Sequence, residues 1–222
     1  MVESVNVVGR GRVGSAIASR LGERGFAVRE DAELVLLCVP DRAIAEVAAE
    51  IPVGPWVAHV SGGTALAALA PHERRFGLHP LQTFTRARGP EQLDGAFAAV
   101  TAESDDARAL ALDLARTLGL EPFVIDESAR GVYHAGAAMA SNYLVTLYRA
   151  AAGLLERAGA PPEALIPLMR RTIENGFELT GPIERGDWDT VEAHLAAIRE
   201  HEPELETLYR VLANLTAEKV AR

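Results

Sequence analysis

Apolar residues fall in short unbroken runs through the first 125 residues and at helical spacing after that. Val5, Val7 and Val8 read as a buried strand, and Ala16, Ile17, Ala18 and Leu21 follow at helical spacing. Leu34 to Val39 (LVLLCV) is a continuous β-rich run of the kind found where a parallel sheet is covered on both faces. Further strands are predicted at Trp56–Val60, Phe76–Leu78, Ala96–Thr101 and Pro122–Ile125. Helices are predicted at Arg42–Ala49, Ala65–Leu69 and Asp105–Leu118, with His79-Pro80 to Phe84 as a polar loop. Strand and helix alternate, which predicts an α/β doubly wound parallel sheet. One place breaks the rhythm. Phe26–Arg29 could be a second strand, yet only Glu30 to Glu33 separate it from the LVLLCV run. A parallel crossover needs about a dozen residues. The second strand is therefore either absent or a short stub at the sheet edge.

After Ile125 no strand pattern remains. Glu127 to Ala158 has no proline and is helix-forming throughout. Pro161-Pro162 leads into a helix from Glu163 to Phe177, broken by Thr180-Gly181-Pro182. Asp189 is placed to cap a helix from Thr190 to Ile198, and Pro203 opens a last helix reaching about Val220. The reading is a nucleotide-binding α/β domain at 1–126 and an all-helical domain at 127–222.

Composition narrows the partners. The chain of 222 residues has a net charge of -9, which disfavours nucleic acid or an anionic membrane as partner. No apolar run approaches the ~18 residues of a membrane span, and the opening strand does not resemble a signal peptide. The single cysteine, Cys38, reads as an inert buried thiol. These features predict a cytoplasmic protein acting on a small molecule. The broad apolar coverage of the long helix, with Val132, Met139, Tyr143, Leu144 and Leu154, predicts a homodimer through the helical domain.

The candidate chemistry begins at Gly9-Arg10-Gly11-Arg12-Val13-Gly14, a G-x-G-x-x-G turn between strand and helix. Gly9 permits the tight turn, Gly11 lets a pyrophosphate approach the backbone, and Gly14 lets helix and strand pack closely. The helix N-terminus supplies free N–H groups to an anion. Val39 and Pro40, ending the buried run, are assigned to the same cofactor site, as is Arg29. Ser61, after the strand that ends at His59, reads either as a substrate-positioning hydroxyl or as an N-cap, and His59 as a site residue or a hydrogen-bonded core histidine. His79 could act as acid, with Thr83 nearby. His134, Ala138 and Asn142 share one helix face, with Ser141 adjacent. This group reads either as a catalytic constellation or as a polar stripe at a helix contact. Thr180-Gly181-Pro182 could cap the pocket or simply stop a helix. His72, His194 and His201 sit among charged residues and read as surface, and no cluster has metal-ligand spacing.

These motifs together resemble a known family. GRGRVGSAIA at Gly9–Ala18, LLCVPDRAI at Leu36–Ile44, HVSGGTAL at His59–Leu66, GLHPLQTF at Gly77–Phe84, YHAGAAMASNYL at Tyr133–Leu144 and LTGPIERGD at Leu179–Asp187 are similar to Rossmann-like proteins with a DUF2520-type helical domain. These are relatives of pyrroline-5-carboxylate reductase, 6-phosphogluconate dehydrogenase and F420-dependent NADP oxidoreductases. The resemblance implies a dinucleotide-binding domain, a helical dimerisation domain and an active site between them. It implies NADP or NAD as cofactor and oxidoreductase chemistry, without naming a substrate. In the related dehydrogenases a catalytic lysine stands four residues before an asparagine; here the asparagine is Asn142 and the lysine position is Ala138. That leaves His134 as the acid–base group of that face, with His79 as the other candidate proton donor and Asn142 and Ser61 orienting the substrate. The segment that normally holds the adenosine ribose is deleted after Arg29, which implies weak cofactor binding. A non-catalytic nucleotide sensor or a structural dimer on the same scaffold are the rival readings.

Overall fold

A computed structural model describes residues 2–220. The chain divides into two compact units, 1–139 and 140–222. The division falls within the long helix rather than at the end of the last strand, because the first turns of that helix pack on the sheet.

The first unit carries a seven-stranded sheet in the order β2-β1-β3-β4-β5-β6-β7. The strands are β1 (Ser4–Val8), β2 (Ala27–Val28), β3 (Leu34–Leu37), β4 (Trp56–His59), β5 (Arg75–Pro80), β6 (Phe97–Ala102) and β7 (Glu121–Val124). All neighbours run parallel except β5 and β6. The helices are α1 (Arg12–Glu23), α2 (Ile44–Glu50), α3 (Asp105–Thr117) and α4 (Arg130–Ala138). Odd and even strand positions divide the core. Val5, Val7, Leu34, Leu36, Phe76 and Val100 face Ile17 and Leu21 of α1 and Ala111 and Leu114 of α3. Val35, Leu37 and Val57 face Ile44 and Ala48 of α2 and the Leu66–Leu69 turn. Leu34 to Leu37 are buried at every position, as a parallel strand covered on both faces requires.

The broken rhythm after Arg29 resolves into a stub. β2 has two residues and pairs with the outer edge of β1, through Ser4 with Ala27 and Val5 with Val28. The chain then crosses over to pair β3 with the other side of β1, Val5 opposite Leu34. The Rossmann-like sheet is thus truncated at this edge, as the short spacing predicts.

Three local expectations are corrected. His79 and Pro80 are not in a loop but end β5, opposite Ala99 and Ala98 of β6. Pro80 has no N–H to give, which marks a loop in sequence, but β4 pairs with β5 only as far as Gly77, so β5 is a free edge on that side at Pro80 and tolerates the loss. Ala65–Leu69 is only a 3-10 turn over Leu66–Leu69. His72 is not a surface residue: it is buried, with Nε2 2.9 Å from the carbonyl of Ala48.

The second unit holds α5 (Leu144–Arg157), α6 (Leu165–Glu174), α7 (Trp188–His201) and α8 (Glu206–Val220). The N-cap of α7 is Asp187 rather than Asp189: its carboxylate accepts from the Thr190 N–H at 3.1 Å and the Thr190 hydroxyl at 2.7 Å. Within this unit Val191, Leu195 and Ala213 pack with Ile183 and Tyr209. Leu168, Ile173, Phe177 and Leu215 are each more than half exposed. Between α4 and α5, Met139–Tyr143 form a π turn. The face count that aligned positions 134, 138 and 142 assumes 3.6 residues per turn, and the π turn changes it. No helix among the described residues is long and apolar enough to cross a membrane.

Candidate active site

The chemistry gathers at the carboxyl ends of the parallel strands, where open α/β sheets bind ligands. The sheet order reverses around β1, with β2 on one side and β3 on the other. Gly9 turns out of β1 with φ +98°, and a Cβ there would lie 2.5 Å from the carbonyl oxygen of Cys38. Gly14 has no room for a side chain against the Gly9 carbonyl and the Cys38 Cβ. Gly11 differs: a Cβ on it would meet nothing within 4 Å. Gly11 is the N-cap of α1, no side chain caps that helix, and its first turn has no acidic residue. The orphan N–H groups and the positive helix end therefore face open space flanked by exposed Arg10 and Arg12, with half-buried Val13 behind. Gly9 and Gly14 thus have the steric roles read from sequence, and Gly11 borders open space.

Val39 stands against Gly9, with its Cγ1 3.2 Å from where a Cβ would be, and Pro40 begins the following 3-10 turn. The turn after β3 therefore borders the glycine turn. Beside the β2 stub, Asn6, Val8, Arg10, Val28, Arg29 and Glu30 line a groove of about 510 Å³. Another hollow of about 990 Å³ lies at the amino ends of β1, β3 and β4 around Trp56 and Arg74, away from the glycine turn. Burial pushes the Cys38 thiol up to about 12, so it stays protonated and inert.

Next to the glycine turn, β4 and β5 bring three histidines together with the start of α4. His59 and His79 lie on one face of the sheet, with Gly77 opposite His59. The His79 and His134 rings meet edge to face at 5.9 Å. His79 Nδ1 lies 2.7 Å from the Tyr133 hydroxyl. Gly62 and Gly63 form the platform beneath. A Cβ on Gly62 would come within 2.7 Å of His134 Cδ2 and 2.9 Å of His79 Nε2, and one on Gly63 within 2.8 Å of His134 Nδ1. Only glycine at both positions lets the two rings approach.

Ser61 shapes that platform. Its hydroxyl accepts from the N–H groups of Gly63 and Thr64 and donates to the Thr64 hydroxyl. It is buried and committed to its own turn, and does not cap the Leu66–Leu69 turn, whose N-cap is Ala65. His59 is fully buried and, among the described residues, neither ring nitrogen has a hydrogen-bond partner, unlike the hydrogen-bonded core histidine that sequence allows.

Burial first, and nearby charge second, keep His59 and His79 neutral. Burial, then His134 and Arg130, push His79 down to about 4, against the pull of Asp41. Burial and Arg130 push His59 down to about 4 as well, with Asp41 again opposing. Burial raises Tyr133 to about 12. His79 is thus an uncharged hydrogen-bonding group at neutral pH.

Arg130, Tyr133, Asp41 and the Gly62-Gly63 platform are the parts that sequence reasoning missed. Local sequence carries no signal for Arg130, whose partners Ser61 and Thr101 lie far from it in the chain. Asn142 is exposed in the π turn and Thr83 is exposed beyond β5. Thr180 accepts from Arg185 through its carbonyl, and Gly181-Pro182 precede α7. Thr180 to Pro182, Asn142 and Ser141 belong to the helical unit. Among the described residues no three His, Cys, Asp or Glu side chains stand close enough to hold a metal ion.

The fold and the glycine turn define a Rossmann-like α/β protein with a helical C-terminal unit. More narrowly, the chain belongs to the DUF2520 family, described as a domain of unknown function, whose profile matches residues 96–216. The match covers β6, α3 and β7 as well as the helices. No curated protein sequence matches the chain. Among solved structures, a Thermotoga maritima protein is similar at 26% identity and TM-score 0.73, over 99% of this chain and 91% of that one. A Bacteroides fragilis protein, named for a proposed NADP oxidoreductase activity, is similar at 22% identity and TM-score 0.81, over 97% and 98%. The 1-pyrroline-5-carboxylate reductase of Streptococcus pyogenes is similar at 16% identity and TM-score 0.61, over 98% and 97%. These likenesses bear on the fold.

Proposed function

We propose that the protein is an NAD(P)-dependent oxidoreductase acting on a C=N or C=O bond of a small polar metabolite. One observation carries the reading: an uncapped helix N-terminus at an open Gly11 lies at the same end of the sheet as the neutral His79 and its neighbour His134. The names of the Bacteroides and Streptococcus proteins support the same class of chemistry. The residues fit the pyrophosphate of a dinucleotide: Gly11 leaves room, the α1 N–H groups are free to donate, and Arg10, Arg12 and Arg29 add positive charge. Val39 and Pro40 wall the path from the glycine turn toward the histidines. A bound nicotinamide supplies or accepts the hydride. His134 then gives or takes the proton at the substrate heteroatom. His79, steadied by Tyr133, hydrogen-bonds that atom, and Ser61 holds the glycine platform.

The same reading assigns a homodimer through the helical unit. That unit packs a small core of its own, while Leu168, Ile173, Phe177 and Leu215 remain exposed in the chain, more apolar surface than a monomer ordinarily presents. It also assigns the cytoplasm, where reduced thiols such as Cys38 persist.

A second reading is favoured by the truncated edge. With only a two-residue β2 beside the groove at Arg29, a dinucleotide has little wall for its adenosine half, as suits a nucleotide sensor that does not turn over. Nicotinamide fluorescence on adding NADH or NADPH separates the cases. Absence of binding removes both. Binding followed by oxidation of NADPH with any imine or ketone in a substrate panel removes the sensor.

A further inference from the structure

Arg130 is buried at the root of the site, and no role in it was read from sequence. Its guanidinium donates through Nη1 to the Ser61 carbonyl at 3.0 Å, through Nη2 to the Thr101 hydroxyl, and through Nε to Glu127 at 3.2 Å. Glu127 in turn accepts the Leu66 N–H at 2.7 Å, on the far side of the glycine platform. Arg130 and Glu127 thus grip the Ser61–Leu66 turn from both ends. Gly77 makes the space: a Cβ there would stand 2.6 Å from Arg130 Nη2 and from Thr101 Oγ1, and 3.3 Å from His59 Cε1. Tyr133 and His134 follow one turn later on α4.

We propose that Arg130 is the positioning residue of this site, with two separable effects: its fork fixes α4 so that His134 stands on the Gly62-Gly63 platform, and its charge lies behind His59 and His79. This deepens the oxidoreductase reading but does not need turnover to be tested. A guanidinium presents a planar fork to several acceptors at once; a lysine ammonium keeps the charge and loses that geometry. Burying so large a cation is costly unless every donor finds an acceptor, and here the acceptors come from the turn after β4, from β6 and from the turn before α4. A salt bridge to Glu127 alone would not require the Ser61 carbonyl and Thr101.

The groups acting on His79 are His134, Arg130 and Asp41, so removing the arginine charge leaves burial and His134 in place. The expected response is a partial rise in the His79 titration midpoint, not a return to that of a free imidazole.

The experiment is histidine ring NMR against pH on the full chain, comparing wild type with Arg130→Met and Arg130→Lys, folding being checked by circular dichroism. Arg130→Met should raise the His79 midpoint. Arg130→Lys should leave that midpoint low while moving the His134 ring resonances toward those of a free imidazole, because the charge stays and the fork is lost. Calorimetric binding of NADPH should change less than threefold in both, since Arg130 is not at the glycine turn; loss of binding in wild type would count against the cofactor reading alone. An unchanged His79 midpoint in Arg130→Met, or equal rises in both variants, would overturn the charge effect. Unmoved His134 resonances in both variants would overturn the positioning effect. Should Arg130→Met fail to fold, Thr101→Val, which removes one acceptor and keeps the charge, should move His134 without raising His79; no movement there overturns the positioning effect as well.

Discussion

The Tyr133 hydroxyl lies 2.7 Å from His79 Nδ1, and the two rings meet at right angles, 82° apart. This pair ties the end of β5 to α4 and fixes which His79 nitrogen turns toward the platform. Tyr133→Phe should leave Nδ1 without its partner at a half-buried site. The expected cost is about 1 kcal/mol, measured by urea denaturation. A variant as stable as wild type would show that the hydrogen bond is not held in solution.

Stability should fall with acid. His59 and His79 titrate near 4 when folded, below the usual 6.5, so the unfolded chain binds protons more readily between those values. The stabilisation from neutral burial is complete above ~6.5 and is lost as pH falls toward 4. For fully buried His59 the upper bound is roughly 3 kcal/mol, with less from His79. Denaturation midpoints at pH 7 and pH 5 test this, and His59→Gln should flatten the slope. Equal stability at both values would contradict the burial of these rings.

The glycines should respond differently to substitution. Gly14→Ala drives a methyl into the Gly9 carbonyl and should destabilise by about 1–3 kcal/mol. Gly11→Val meets no protein atom and should keep the melting temperature, yet abolish dinucleotide binding by filling the phosphate path. Wild-type affinity in a folded Gly11→Val variant would move the cofactor elsewhere.

Wild-type binding itself should be weak. Losing two or three ribose contacts at ~1 kcal/mol each gives a dissociation constant on the order of tens of micromolar, with little preference between NADH and NADPH. Calorimetric titration with both is the measurement. Sub-micromolar, selective binding would mean that something else rebuilds the missing wall.

Light scattering at micromolar concentration should report a dimer. Leu168→Glu with Ile173→Glu, both on exposed α6 surface, should dissociate it without loss of helix signal. A monomeric wild type would leave those residues without the proposed partner.

Much of this was legible in the chain. The LVLLCV run, the spacing that allowed only a stub at β2, and the distinct sizes required at Gly9, Gly11 and Gly14 follow from local sterics and periodicity. What escaped were consequences of tertiary packing. Pro80 looked like a loop because a missing N–H is a local property, whereas its place at a strand end depends on β6. Gly62 and Gly63 looked like an ordinary turn, since nothing local announces two imidazoles above them. Arg130 reads as a surface helix residue until Gly77 and Thr101, far away in sequence, supply its pocket. The π turn at Met139–Tyr143 leaves no periodicity mark, because one extra residue in a turn is within the noise of an apolar pattern.

The short return to β3 also bears on how the protein folds. Val5 and Leu34 pair in neighbouring strands at a sequence separation of 29 residues, beside 22 for Leu34 with Trp56 and 24 for Phe97 with Glu121. A longer crossover at this point would raise the loop-closure entropy of that pairing. Here β1, α1 and β3 form a unit nearly as local as the other strand pairs, and low contact order favours rapid formation of the sheet. The truncation beside the Arg29 groove therefore keeps the pairing of β1 with β3 in step with the rest of the sheet. Pulse-labelled amide exchange should find β1 and β3 protected at the same stage as β6 and β7; markedly later protection of β1 would contradict this.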